Sequence, residues 1–292
     1  MSEKRVMWHD GLPLSAQVDG PEGAPVVLLV HGFPDTPWSW QGVVPLLVAA
    51  GYQVVRPWLR GYTPETAQAD ARYDMLAVAG DLIELREQLA AVEVHLVGHD
   101  WGAVAAMVAA SRQPDHWQSV SLLAIPPFQR MERAFEQLPL QARHSSYMLL
   151  LQSSLSPWLV RRNDCAYLRH LWSVWSPTWA YTEADFEPVR TAFGDPHVAW
   201  AATRYYRALF TPWRQATREV FRLARAPIRV PALFLTGADD GCMVSGLFDR
   251  VVEPRCFPAG VRVERLTGCG HFLQAEAPAR VADVLLGHIQ TA

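Results

Sequence analysis

Cysteine is scarce in this chain of 292 residues, which holds four of them and no Cys-x-x-Cys spacing. Cys165, Cys242, Cys256 and Cys269 point to neither a zinc site nor a redox pair, and free thiols suit a cytoplasmic protein. Long apolar runs are also missing. No stretch approaches the ~20 residues that span a bilayer, so no membrane partner is expected. The N-terminal ten residues lack the apolar centre of a signal peptide. Positive charge is not in excess: 26 Lys and Arg against 29 Asp and Glu give a formal net charge of -3, with a pI of about 6.4. No basic stripe offers a footprint for nucleic acid. The Arg-rich stretches at 161–162 and 218–225 read as solvated helix faces. Repeats and low-complexity segments are absent.

What the chain does have is apolar and aromatic. Half of it is hydrophobic, enough for a large core, and its length suits one domain with an insertion. Twelve tryptophans are present, six of them between residues 158 and 213. Short continuous apolar runs at Val26–Val30, Tyr52–Val55, Val94–Val97, Ser119–Ile125, Pro231–Thr236 and Val261–Leu266 read as strands buried on both faces. Helical periods lie between them, over Trp40–Ala50, Met75–Ala90 and Ala103–Arg112. This alternation predicts an α/β fold with a mostly parallel, doubly wound sheet. From 128 to 226 the alternation breaks and helical periods rich in Arg, Trp and Tyr take over. The expected organisation is a core over 1–127 and 227–292 with a helical cap inserted over 128–226.

One stretch stands out. Val94–Val97 runs into Gly98-His99-Asp100-Trp101-Gly102, and an Ala-rich helical pattern follows at once. This is the strand–turn–helix context of a nucleophile elbow, with Asp where Ser is more usual. A turn that sharp leaves no room for a Cβ at Gly98 or Gly102. A carboxylate is a weak acyl acceptor but a competent displacing group at saturated carbon, where it forms an alkyl ester of the enzyme. Asp100 therefore points towards opening epoxides or displacing halide.

Such an ester must then be hydrolysed, which requires a base for water, an acid to orient the base, and an oxyanion pocket. In an elbow fold the partners follow in the order acid, then His. Leu233–Thr236 runs into Gly237-Ala238-Asp239-Asp240-Gly241, and Leu266 precedes Thr267-Gly268-Cys269-Gly270-His271. His271 is the expected base. Asp240 is preferred as its orienting acid, with Asp239 the alternative. After the first buried strand come His31-Gly32-Phe33-Pro34, so the N–H groups of Phe33 and Trp101 are the expected oxyanion donors.

Together these motifs resemble the α/β-hydrolase superfamily, and within it the soluble epoxide hydrolase branch, which is related to haloalkane dehalogenases. The resemblance spans nearly the whole chain and includes Arg60-Gly61-Tyr62, where Thr63 replaces the family's second Gly. It implies two cap tyrosines that donate to the epoxide oxygen. Tyr147 and Tyr206 match these positions, with Tyr205 the alternative to Tyr206. A phenol is protonated at pH 7 yet donates well to an oxygen gaining charge. A dehalogenase would instead need N–H groups for halide. Trp101 and a cap Trp would serve, but Phe33 stands where many dehalogenases carry Asn. Trp172 and Trp175 are expected in the substrate pocket and Trp38 at its entrance. The resemblance implies an apolar epoxide as the small-molecule partner and neither cofactor nor metal. A homodimer remains open, as do a dehalogenase and a non-catalytic small-molecule receptor on this fold.

Overall fold

The computed structural model describes residues 3–89 and 91–292. Eight strands form one sheet: β1 (Glu3–His9), β2 (Leu12–Asp19), β3 (Val26–Val30), β4 (Gln53–Pro57), β5 (Val94–His99), β6 (Ser119–Leu123), β7 (Ala232–Gly237) and β8 (Val261–Leu266). Their spatial order is β1-β2-β4-β3-β5-β6-β7-β8. β2 runs antiparallel to both neighbours, and from β4 onward every pairing is parallel.

The continuous apolar runs have the cause expected of them. Strands β3 to β7 are buried at every position, because helices cover both faces of the sheet. Successive side chains on a strand point to opposite faces. Val26, Leu28 and Val30 therefore join one core, with α2 (Met75–Gln88) and α3 (Trp101–Arg112). Val27 and Leu29 join a second core on the other face, against α1 (Val44–Ala49) and the C-terminal helix Pro278–Ile289.

Several boundaries differ from the sequence reading. The helix expected over 40–50 is a 3₁₀ turn at Pro37–Trp40 followed by α1. Pro45 lies in the first turn of α1, where its missing N–H costs nothing, so the helix cannot start earlier. The helix expected over 75–90 is assigned to Gln88, and Ala90 lies outside the described residues. The hairpin β1–β2 was not foreseen. Its turn is Asp10-Gly11, both with positive φ, and Asp-Gly is a strong two-residue hairpin signal.

Between β6 and β7 the chain is helical only: α4 (Leu138–His144), α5 (Tyr147–Leu151), α6 (Ser156–Trp175), α7 (Glu183–Gly194), α8 (Pro196–Leu209) and α9 (Gln215–Ala224). α6 is broken at Arg162–Cys165, where Asn163, Asp164 and Cys165 take left-handed φ. α10 (Leu247–Val251), α11 (Leu273–Glu276) and α12 (Pro278–Ile289) complete the chain. Among the described residues the insertion has no core of its own. Phe193, Tyr205 and Tyr206 pack with Phe33, Tyr62 and Trp101 in the first core.

Hydrogen bonds join the insertion to loops at the carboxyl ends of the strands, three sets of them through aromatic residues. The Trp172 indole donates to the Pro34 carbonyl at 2.9 Å. The Tyr205 hydroxyl donates to the Arg60 carbonyl at 2.7 Å. The Trp175 carbonyl accepts from the N–H groups of both Gly241 and His271, at 2.9 and 3.0 Å. Among the described residues no helix is long and apolar enough to cross a membrane.

Arg60 is itself fully buried and reaches Asp81 on α2 through Nε at 2.6 Å and through its second nitrogen at 2.5 Å. Asp81 also meets His9 Nδ1 at 2.6 Å, which ties the N-terminal hairpin to α2. Removing one partner of such a pair strands a buried charge. Asp81→Ala is therefore expected to lose about 3–5 kcal/mol of stability, read as a lowered midpoint in urea unfolding.

Candidate active site

The Asp100 elbow is built as its small residues require. β5 ends at His99, α3 starts at Trp101, and Asp100 between them has φ 51° and ψ -118°. A non-Gly residue in such a region costs of order 1–3 kcal/mol and persists only where its surroundings fix it. A Cβ on Gly98 would fall 2.3 Å from the Gly102 carbonyl oxygen, and one on Gly102 would fall 2.5 Å from the His31 carbonyl oxygen. Both positions must stay bare for α3 to pack this closely behind β3 and β5.

The carboxylate is buried and held at two points. The Phe33 N–H donates to Asp100 Oδ1 at 2.8 Å. His271 Nε2 lies 3.7 Å from Oδ2. On the other side of the ring, His271 Nδ1 meets Asp240 Oδ2 at 3.0 Å. Asp240 Oδ1 accepts from the N–H groups of Cys242 and Met243 at 2.7 and 2.8 Å. Asp239, by contrast, is exposed and accepts from Gly268 N–H. Of the two acids that the sequence left open, Asp240 is the one that reaches His271.

His271 has no exposed surface. Burial opposes its charged form, but the carboxylates of Asp240 and Asp100 outweigh that and push its pKa up to about 10. The resting site is thus an imidazolium between two carboxylates. His31 behaves oppositely. Burial pushes it down to about 3, and the neutral ring accepts from Leu59 N–H and contacts the Gly32 carbonyl.

Across from Asp100 stand the insertion's tyrosines. The Tyr206 ring packs edge-on against Trp101, Phe33 and Tyr147, with centroids 5.0, 5.2 and 5.9 Å away. Burial pushes the Tyr206 and Tyr147 phenols well above their ordinary values, so both are protonated at neutral pH. The Tyr206 hydroxyl, the Trp101 indole N–H and His271 Nε2 are all buried without a hydrogen-bond partner among the described residues. The neighbouring Tyr205 has its hydroxyl on the Arg60 carbonyl and points elsewhere.

Asp100 and Trp101 form one wall of a cavity of about 350 Å³, which is otherwise lined mainly by apolar side chains such as Val104, Ile125, Phe128 and Leu209. Trp175 touches the rings of His271 and Tyr147 but belongs to the site's back wall rather than this lining. Trp38 and Trp172 border a separate cleft with Asp35 and Trp179. Trp172 stacks on Trp179 at 4.9 Å and anchors the insertion, so neither Trp38 nor Trp172 lies at this cavity.

Sequence reasoning missed three residues here. Cys242 is buried in the cavity wall, its thiol 3.5 Å from the Tyr147 hydroxyl. Asp35 and His99 are buried behind His271, with His99 Nε2 on the His271 carbonyl at 3.0 Å and its Nδ1 3.8 Å from Asp35. Burial pushes Asp35 up to about 7. Its place directly after His31-Gly32-Phe33-Pro34 was the available signal.

Comparison with known proteins agrees with this architecture. The family described as alpha/beta hydrolase fold matches residues 25–149, from β3 through the elbow to α5. A Caballeronia sordidicola protein named epoxide hydrolase is 29% identical, covering 95% of this chain and 91% of its own length. Epoxide hydrolase A of Mycobacterium tuberculosis is 28% identical, covering 97% of this chain and 96% of its own. The crystal structure of epoxide hydrolase A from Mycobacterium thermoresistibile superimposes with a TM-score of 0.78 at 25% identity, over 99% of this chain and 98% of that one. By its sheet, its elbow and these similarities, the chain has the α/β-hydrolase fold.

Proposed function

We propose that this protein is an epoxide hydrolase that converts an apolar epoxide and water to a vicinal diol through an alkyl ester of Asp100. The observation that carries this reading is the buried, protonated phenol of Tyr206, packed against Trp101 beside the Asp100 carboxylate. Displacing halide needs no acid, whereas opening an epoxide creates an alkoxide that does. The names of the full-length relatives point the same way.

In the first step Asp100 Oδ2 attacks a ring carbon, and that carbon's bond to the ring oxygen breaks. Tyr206 and Tyr147 donate to the departing oxygen. Esterification removes the negative charge from Asp100 and with it one of the two carboxylates that hold the proton on His271. The imidazole becomes a weaker base, its proton passes to solvent, and Nε2 is free to activate water. Asp240 keeps Nδ1 protonated and the ring aligned. Water then adds to the Asp100 carboxyl carbon. The oxyanion that forms on Oδ1 meets the Phe33 N–H, already 2.8 Å away, and the Trp101 N–H at the start of α3. Collapse of that intermediate breaks the carboxyl carbon's bond to the diol oxygen, which takes the proton that His271 drew from the water; the carboxylate re-forms, and His271 and the donating tyrosine regain their protons from solvent. The helical segment 128–226 acts as the cap that supplies the two donors.

His271→Ala should block hydrolysis of the ester but not its formation. Incubated with styrene oxide, this variant is expected to gain the mass of the whole epoxide, and the gain should vanish when Asp100→Asn is added. A gain of only the alkyl group from a primary bromoalkane would replace this reading with a dehalogenase, and no adduct from either would remove the covalent step. Tyr206→Phe is expected to lower the first-order rate of adduct formation by about 10²-fold. An unchanged rate would take the donor role from Tyr206. Asp100→Asn should also lower the His271 pKa, followed by the imidazole resonances in an NMR titration. The folded value is raised by two carboxylates, so losing one moves the titration to lower pH.

A further inference from the structure

Two parts of the insertion carry positive charge and no negative charge at all. Residues 139–163 hold Arg143, Arg161 and Arg162, and residues 196–218 hold Arg204, Arg207, Arg214 and Arg218. Neither segment contains an Asp or Glu. Seven of the 26 Lys and Arg lie there and none of the 29 Asp and Glu, which leaves 19 against 29 for the rest of the chain. The structure joins the two segments. The Arg207 guanidinium, on α8, donates to the Gln152 and Ser153 carbonyls of the α5–α6 turn at 2.8 and 2.7 Å. Elsewhere in the insertion Arg169 pairs with Glu183 and Arg222 with Glu219. Among the described residues none of the seven arginines forms an ion pair with an acid.

The same segments expose apolar side chains. Seven of the fifteen large hydrophobic residues exposed among the described residues fall within them. Leu149, Leu155 and Trp213 are 70%, 66% and 72% exposed, and Trp158 and Phe210 also reach solvent. The Arg162 guanidinium lies 4.7 Å over the Trp158 ring, so charge and apolar area are interleaved. Exposed apolar groups gathered in one region mark an interaction surface. A nucleic acid would satisfy the arginines but leave the leucines in water. An apolar protein groove would take the leucines and strand the arginines. An anionic bilayer surface takes both. Its phosphates meet the guanidiniums, Trp and Leu sink to the acyl boundary, and long arginine stems bridge the two depths.

We propose that this face of the insertion docks on an anionic lipid surface. The expectation of no membrane partner rests on spanning runs and on basic stripes in the sequence. A surface assembled from two separate segments is neither. Met148 and Leu209, the chain neighbours of Leu149 and Phe210, line the cavity beside Asp100. Docking therefore sets that cavity next to the bilayer, where apolar solutes concentrate. The inference does not rest on the epoxide reading, because binding is measured without substrate.

The test is co-sedimentation of the whole protein with vesicles of phosphatidylglycerol and phosphatidylcholine, and with vesicles of phosphatidylcholine alone. The wild-type protein is expected to bind the anionic vesicles, to be released as salt rises, and to leave the neutral vesicles unbound. Each arginine near such a surface is worth about fivefold in partitioning, so Arg161→Gln with Arg162→Gln should weaken binding by about 25-fold. Leu155→Ser with Trp158→Ser should weaken it by about tenfold or more. Arg262→Gln and Trp8→Ser, exposed on β8 and β1, should leave it unchanged. Urea unfolding midpoints should hold in every variant, which separates lost binding from lost folding. No binding to anionic vesicles at low salt would overturn the inference. So would equal binding to neutral vesicles, or binding that survives both double substitutions. Without vesicle binding, capture of an oligonucleotide would reassign the face to nucleic acid. A dimer abolished by Arg161→Gln with Arg162→Gln would then reassign it to a second copy of the chain.

Discussion

Two carboxylates share one imidazole at the buried wall of a cavity. Asp100, His271 and Asp240 are all buried, and an isolated ion there would cost several kcal/mol. The arrangement is tolerable because each charge is met. Asp240 takes two backbone N–H groups and the His271 ring, Asp100 takes the Phe33 N–H, and the imidazolium sits between them. The loops that carry these groups come from four different strand ends. Each must arrive within a few tenths of an ångström, and much of the surrounding structure serves that arrival. The bare glycines of the elbow let α3 pack close behind the nucleophile. The Trp175 carbonyl, at the end of α6, gathers the Asp240 and His271 loops with one acceptor.

The insertion therefore does more than roof the cavity. Tyr205 and Tyr206 are adjacent on α8, and successive helix positions point about 100° apart. One hydroxyl is fixed on the Arg60 carbonyl while the other residue's ring packs edge-on against Trp101, next to Asp100. Arg60 in turn is locked by Asp81. The position of Tyr206 is thus set from outside the pocket, through its neighbour, by a buried ion pair on the far side of the first core.

Much of this was legible in the sequence because it is local. The elbow, the Gly-flanked His271 and the Phe33 turn are each written in four or five consecutive residues whose steric demands are specific. The strands were legible because both faces are buried, which leaves continuous apolar runs. What was not legible depends on partners distant in sequence. Between Asp239 and Asp240 the sequence gives only a preference, for Asp240, until β7 and β8 bring His271 to one and Gly268 to the other. Trp38 and Trp172 look like pocket residues by type, but Trp172 spends its indole on Pro34 and a stack with Trp179. The hairpin β1–β2 does carry a local signal, Asp10-Gly11.

The sheet divides the molecule into two cores fed by alternate residues of the same strands. The insertion, the tyrosines and the cavity all belong to one of them; α1 and α12 pack on the other. Residues such as Leu47, Val281 and Leu285 thus support the fold without touching the layer that shapes the pocket. Lineages descended from such a chain have two largely independent stores of variation. Drift beneath α12 can set how much destabilisation the protein tolerates, and that reserve can then be spent on new cavity walls across the sheet.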